Sequence, residues 1–126
     1  MKLRIRGNTI RLRLGRSEVS TLAEQGAVRE STRFDAAGMQ EFGYALESAE
    51  VDAISASFED GLLLVRLPRA LVAQWASSDE IAVQRDQSLG SAGALKILIE
   101  KDFECLHGAP DDEPQDDAYP HPHMRE

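Results

Sequence analysis

Apolar and polar residues alternate strictly at the start of the chain. Leu3 and Ile5 alternate with Arg4 and Arg6, and Ile10, Leu12 and Leu14 alternate with Arg11 and Arg13. A period of two belongs to strands buried on one face. Gly7-Asn8 lies between the runs, where a tight turn tolerates positive φ. The pattern therefore predicts a hairpin. The spacing then becomes helical, with Val19, Leu22 and Ala23 on one stripe, Ser17 placed to cap it and Gly26 placed to end it. Ala27–Phe34 and Phe42–Glu47 read as two further strands. The second half reads the same way. Ile54–Glu59 and Leu62–Leu67 flank Asp60-Gly61, a strong hairpin signal. Leu71, Val72, Trp75 and Ala76 form a helical stripe that Pro68 can introduce. Ile81–Arg85 and Leu95–Glu100 are the last two strand candidates.

The two halves are related by a constant offset of 53. Leu12-Arg13-Leu14-Gly15-Arg16 matches Val65-Arg66-Leu67-Pro68-Arg69, and the same offset carries Ile5 to Phe58, Ile10 to Leu63, Val19 to Val72, Leu22 to Trp75 and Val28 to Ile81. It resumes without a gap as Phe42, Tyr44, Leu46 and Glu47 against Leu95, Ile97, Ile99 and Glu100. The preferred reading is a duplicated ββαββ unit, with convergence of two unrelated units as the alternative.

The expected fold is α+β, with eight strands and two helices. Neither half is large enough to bury both a helix stripe and a sheet face alone. Packing the halves as one closed or nearly closed, mostly antiparallel sheet would bury both and reduce exposed edges. The expected core is Leu3, Ile5, Ile10, Leu12, Leu14, Val19, Leu22, Phe58, Leu63, Val65, Leu67, Val72, Trp75, Ile81, Ile97 and Ile99. Leu64 is out of phase with Leu63 and Val65, which marks a second buried face or an interface. The expected organisation is one domain over 1–104, with repeats at 1–50 and 54–104, followed by an acidic, proline-containing tail over 105–126.

Charge is segregated along this frame. The formal net charge is -8 over 126 residues, yet residues 1–16 carry +6 and residues 105–126 carry -5. A basic head on an acidic protein suggests that the tail folds back onto it, or that it meets an anionic partner. If the apolar residues of the first hairpin point inward, Arg4, Arg6, Arg11 and Arg13 share its outer face. Guanidiniums so placed can grip carboxylates or phosphates bidentately. The same offset leads from these arginines to Ser57, Glu59, Leu64 and Arg66, so the property belongs to one half. No aromatic residue interleaves the arginines, which argues against base stacking and makes nucleic acid a minor alternative to a protein partner. A solvated strand face, protected by charge against edge pairing, is the plain alternative.

Other chemistry is sparse. Cys105, His107, His121 and His123 are soft or borderline ligands suited to zinc, but each pair is separated by a single residue, and zinc sites usually leave two to four. Cys105 with His107 could in principle serve as nucleophile and base; a small buried hydrophobe is the commoner role of such a cysteine. Asp102 and Glu104 fall on one face if the last strand continues, and Glu47 and Glu100 occupy equivalent positions; acid–base work would need one carboxyl of a pair raised by burial, and solvated strand residues are the default reading. Gly90-Ser91-Ala92-Gly93 leads into a strand and lacks the helix N-terminus of a phosphate loop. No nucleotide-binding, zinc-protease, CxxC or nucleophile-elbow motif occurs. The reading is a non-enzymatic interaction module with no cofactor, and with zinc binding or phosphate or RNA binding as alternatives.

The single cysteine excludes an internal disulfide framework and fits a reducing compartment. No apolar run approaches the ~18–20 residues of a membrane helix, and the N-terminus has no signal-peptide core. A cytoplasmic protein of bacterial type, without a membrane partner, is expected. No pattern assigns an oligomeric state. The hairpin LRIRGNTIRLRL, the helix start Ser17-Glu18-Val19, the Ile54–Phe58 strand, and Glu100–Phe103 with Cys105-Leu106 before an acidic stretch resemble a family of small bacterial proteins of unknown function. The resemblance covers nearly the whole chain. It implies a self-contained domain and brings no activity, cofactor or catalytic residue.

Overall fold

The computed structural model describes residues 1–103. Within them the order is β1 (Lys2–Arg6), β2 (Thr9–Leu14), α1 (Arg16–Gln25), β3 (Ala27–Arg33), β4 (Glu41–Ala49), β5 (Ser55–Glu59), β6 (Leu62–Pro68), α2 (Arg69–Ala76), β7 (Ala82–Ser88) and β8 (Ala94–Lys101). The glycine-rich stretch forms a 3-10 turn, Gly90–Ala92, between β7 and β8.

The fold is α+β, but the strands do not close into one sheet. They form two four-stranded mixed sheets, β1-β2-β8-β7 and β3-β4-β6-β5. Each sheet joins two antiparallel pairs through a central parallel pair, β2 with β8 and β4 with β6. Alternation marks which side of a strand is apolar but not which strand lies beside it, so the parallel pairings had no signature. Each helix carries the chain from one sheet to the other: α1 follows β2 and leads to β3, and α2 follows β6 and leads to β7.

The sequence offset recurs in the starts of four pairs of elements. It carries the start of β1 at Lys2 to that of β5 at Ser55, and the start of β2 at Thr9 to that of β6 at Leu62. It carries α1 at Arg16 to α2 at Arg69, and β4 at Glu41 to β8 at Ala94. The parallel registers share it: Thr9 faces Lys96, and Leu62 faces Gly43.

The gaps between the sheets are bridged by side chains rather than by a ladder. At β5, the Ala56 N–H donates to Gln87 Oε1 at 2.8 Å, Gln87 Nε2 donates back to the Ala56 carbonyl at 3.1 Å, and Arg85 Nη1 donates to the Ile54 carbonyl at 2.6 Å. At β1, the Met1 ammonium is held by Glu18 and, at 2.6 Å, by Glu30, while Tyr44 Oη donates to the Met1 carbonyl at 3.3 Å. Burial raises the Tyr44 phenol above its ordinary value, and the Glu30 charge adds to this.

The core fills the space between the inner sheet faces and the helices. Leu12, Leu14, Leu22, Leu46, Val65, Leu67, Trp75, Ile97 and Ile99 are fully enclosed. The Trp75 indole N–H reaches the Ile81 carbonyl at 3.2 Å, which satisfies its polar end inside apolar packing. Three expected core residues lie outside it. Ile5 and Phe58 point to the inner side but sit at hairpin ends beyond the packed layer, and Ile81 precedes its strand; all three are exposed. Leu46, Ile54 and Val83 join the core instead. Ser17 is not the cap of α1. Gly15 takes that place, and the Glu18 carboxylate accepts its backbone N–H at 2.8 Å, half of the reciprocal arrangement that satisfies a helix start. The second hairpin turns through Asp60 at φ 51° and Gly61 at φ 76°, the paired left-handed conformations that two-residue hairpins favour.

Candidate functional site

The strand registers assemble the arginines into one surface. Lys2 faces Arg13, Arg4 faces Arg11 and Arg6 faces Thr9 across β1 and β2. Across β2 and β8, Thr9 faces Lys96, Arg11 faces Leu98 and Arg13 faces Glu100. Cross-strand partners share a face. Because Ile10, Leu12 and Leu14 are buried on the inner side, all of these project outward. Lys2, Arg4, Arg6, Arg11, Arg13 and Lys96 thus line the outer face of the first sheet.

Among the described residues, three carboxylates answer them. Glu100 is only 8% exposed and lies beneath two arginines: Arg11 Nε donates to its Oε1 at 3.0 Å and Arg13 Nε at 2.8 Å, with Arg13 Nη2 at 2.7 Å. Asp102 pairs with Lys2 at 3.1 Å, and Asp86 sits opposite Lys96 in the register. Glu100 thus anchors two guanidiniums and holds the arginine rows in place. All four arginines make interactions within the protein.

The second sheet carries different residues at the positions of the arginines. Its outer face carries Ser57, Glu59, Leu64 and Arg66 at the matching positions, beside Gly43 and Ala45. Leu64 is half-buried on this outer face, out of the core, near Arg29 and Ser57. One ion pair repeats: Arg66 Nε meets Glu47 Oε1 at 2.9 Å, as Arg13 meets Glu100. Glu47 and Glu100 therefore occupy different sheets, each engaged by arginine, and do not form an acid–base pair.

A cavity of about 600 Å³ opens between the helices and the end of β8, lined by Leu14, Val19, Ala76, Lys101 and Phe103 among others. Lys101 Nζ donates to the Ser78 carbonyl at 2.8 Å and lies 5.5 Å from the Trp75 ring centre. The ring face attracts this cation. Among the described residues no group of three or more His, Cys, Asp or Glu is placed to hold a metal ion. Glu104, Cys105, His107, His121 and His123 lie outside the described residues, as does the acidic stretch. No helix of the described residues is long and apolar enough to cross a membrane.

Sequence reasoning identified the arginine face from phase alone. It missed Lys2, which the hairpin register sets opposite Arg13, and Lys96, whose membership follows from the parallel pairing, and it missed Glu100 as their anchor. The chain belongs to a family of unknown function, DUF7009, which it matches over residues 1–123. No curated protein and no solved structure matches it.

Proposed function

We propose that this member of the family is a non-enzymatic binding module. Its ligand is an acidic protein segment, received on the outer face of the β1-β2-β8-β7 sheet. The observation that carries the reading is the ordered set of six cations on that face, set against three carboxylates among the described residues. Such a surface steers and orients anionic partners. The stretch Asp111, Asp112, Glu113, Asp116 and Asp117 supplies a competing charge in the same chain. In this reading it screens the face until a better partner displaces it. The shared offset of elements and registers supports a duplicated ββαββ unit in which one copy carries the arginines and the other a plain face. A cytoplasmic setting suits a module of this kind, which needs neither disulfide nor cofactor.

The test is a titration of a ten-residue polyglutamate peptide into the natural chain and into a full-length chain carrying D111N, D112N, E113Q, D116N and D117N. The neutralised chain should bind at least about tenfold more tightly, with affinity falling as salt screens the charges. Arg4→Gln with Arg6→Gln should abolish the gain. Absence of binding by the neutralised chain would overturn the proposal. Binding of a single-stranded RNA but not of the peptide would replace the protein partner with a nucleic acid.

A further inference from the structure

The two outer β-hairpins present the same backbone edge, but among the described residues only in β5 does one side chain meet both backbone groups of an edge residue. A two-residue hairpin loop is flanked by a hydrogen-bonded pair, and pairs then alternate along the ladder. Arg6 with Thr9 and Glu59 with Leu62 are those flanking pairs. Leu3 and Ile5 in β1, and Ala56 and Phe58 in β5, therefore point their N–H and C=O groups away from the hairpin partner. In β5 the Gln87 carboxamide meets both groups of Ala56, as a neighbouring peptide unit would. The offset that relates the halves leads from Gln87 back to Phe34, whose side chain can neither donate nor accept, and which is 67% exposed. Among the described residues no carboxamide takes Gln87's role at Leu3, and the inward-phase Ile5 beside it is 55% exposed.

We propose that the edge of β1 from Leu3 to Arg6 accepts an extended strand of a partner protein, one whose acidic and apolar residues alternate. This rests on the arginine-face reading and specifies its ligand. Strand addition takes affinity from the main chain and selectivity from alternate side chains. Acidic side chains of the incoming strand lie beside Arg4 and Arg6 on the outer face, and the apolar ones lie beside Leu3 and Ile5. A second copy is a poor occupant, because antiparallel pairing of two β1 strands would set arginine against arginine. The chain's own Asp111–Asp117 stretch has the charge but contains Pro114 and no apolar alternation, so its sequence lacks the apolar half of the pattern this edge selects. The tail screens by charge alone, and a ligand with both features displaces it.

The test uses the full-length chain with the five tail acids neutralised and an eight-residue peptide alternating glutamate and valine. Two further versions carry N-methyl groups, one on the glutamate nitrogens and one on the valine nitrogens. Only alternate N–H groups face an edge, so one methylated peptide should lose at least about tenfold in affinity and the other should not. Amide exchange at Leu3 and Ile5 should slow at least about tenfold on binding. If the peptide binds and moves the arginine resonances while both methylated forms bind equally and these amides exchange unchanged, strand addition is wrong and the arginine face stands. If the peptide does not bind at all, both fall.

Discussion

Glu100 and Glu47 take the same place in the two sheets, and substituting each by glutamine separates burial from charge pairing. Glu100→Gln removes the charge on an 11%-exposed side chain that accepts from Arg11 and Arg13 at 2.7–3.0 Å. Breaking one partner of a buried pair costs about 3–5 kcal/mol. The amide keeps one acceptor oxygen, which places the expected loss at the lower end, about 3 kcal/mol. Glu47→Gln breaks the equivalent pair with Arg66, but there the side chains are 41% and 50% exposed. Exposed pairs contribute about 0–1 kcal/mol. For a domain of this size each kcal/mol moves Tm by about 4–8 °C. Glu100→Gln should therefore lower Tm by about 12–24 °C, and Glu47→Gln by less than about 8 °C. Urea unfolding at neutral pH with unchanged slope gives the free energies directly. Equal losses for the two variants would refute the anchoring role of Glu100.

Four further outcomes follow from other sites. Gln87→Ala should cost about 1–2 kcal/mol for two hydrogen bonds and speed amide exchange at Ala56, read by NMR. Gly61→Ala should cost more than Gly7→Ala in the same unfolding assay. Both sit at positive φ, where a side chain costs about 1–2 kcal/mol. A Cβ at Gly61 would also lie 2.6 Å from the Glu41 carbonyl oxygen, whereas Gly7 is open. Trp75→Ala, at a fully enclosed position, should cost about 3–5 kcal/mol, the range for a large buried aromatic. The fourth concerns pH. Burial alone would raise the Glu18 carboxyl, but hydrogen bonds from the Met1 ammonium and the Gly15 amide outweigh it and hold it below 4.5. Burial alone would lower the Met1 amine, and Glu18 and Glu30 raise it above 8.0. The depressed Glu18 gives stability present above its unfolded value and lost as pH falls through the folded one. The raised amine gives stability present below 8.0 and lost as pH rises through the folded value. Glu18→Gln should flatten the acid limb of the stability–pH curve; an unchanged acid limb would show that Glu18 does not supply it.

Much of the fold was legible because phase is a local property. Leu12, Leu14, Val65 and Leu67 declared their side by alternation, and Val19, Leu22, Val72 and Trp75 by helical spacing. Depth along a strand is not local. Ile5 and Phe58 have the correct phase and still lie beyond the packed layer, because the sheet ends before they are covered. Strand partnership is equally non-local, so nothing in the pattern joined Arg13 to Glu100 or distinguished two sheets from one closed sheet. The cap was misplaced because Ser17 has the usual chemistry, whereas the informative residue was Glu18, three positions after Gly15. The arginine face needed only phase and was visible from the start; its extension to Lys96 needed the parallel register.

The proposal that the tail screens the arginine face is tested most directly by the side-chain Nε–Hε resonances of Arg4, Arg6, Arg11 and Arg13. They would be recorded in the natural chain and in the full-length chain with the five tail acids neutralised, at low and high salt. Tail screening predicts clear shifts at low salt, largest at Arg4 and Arg6, which fade at about 1 M salt, where the Debye length is about 3 Å. Superimposable spectra at low salt would contradict it.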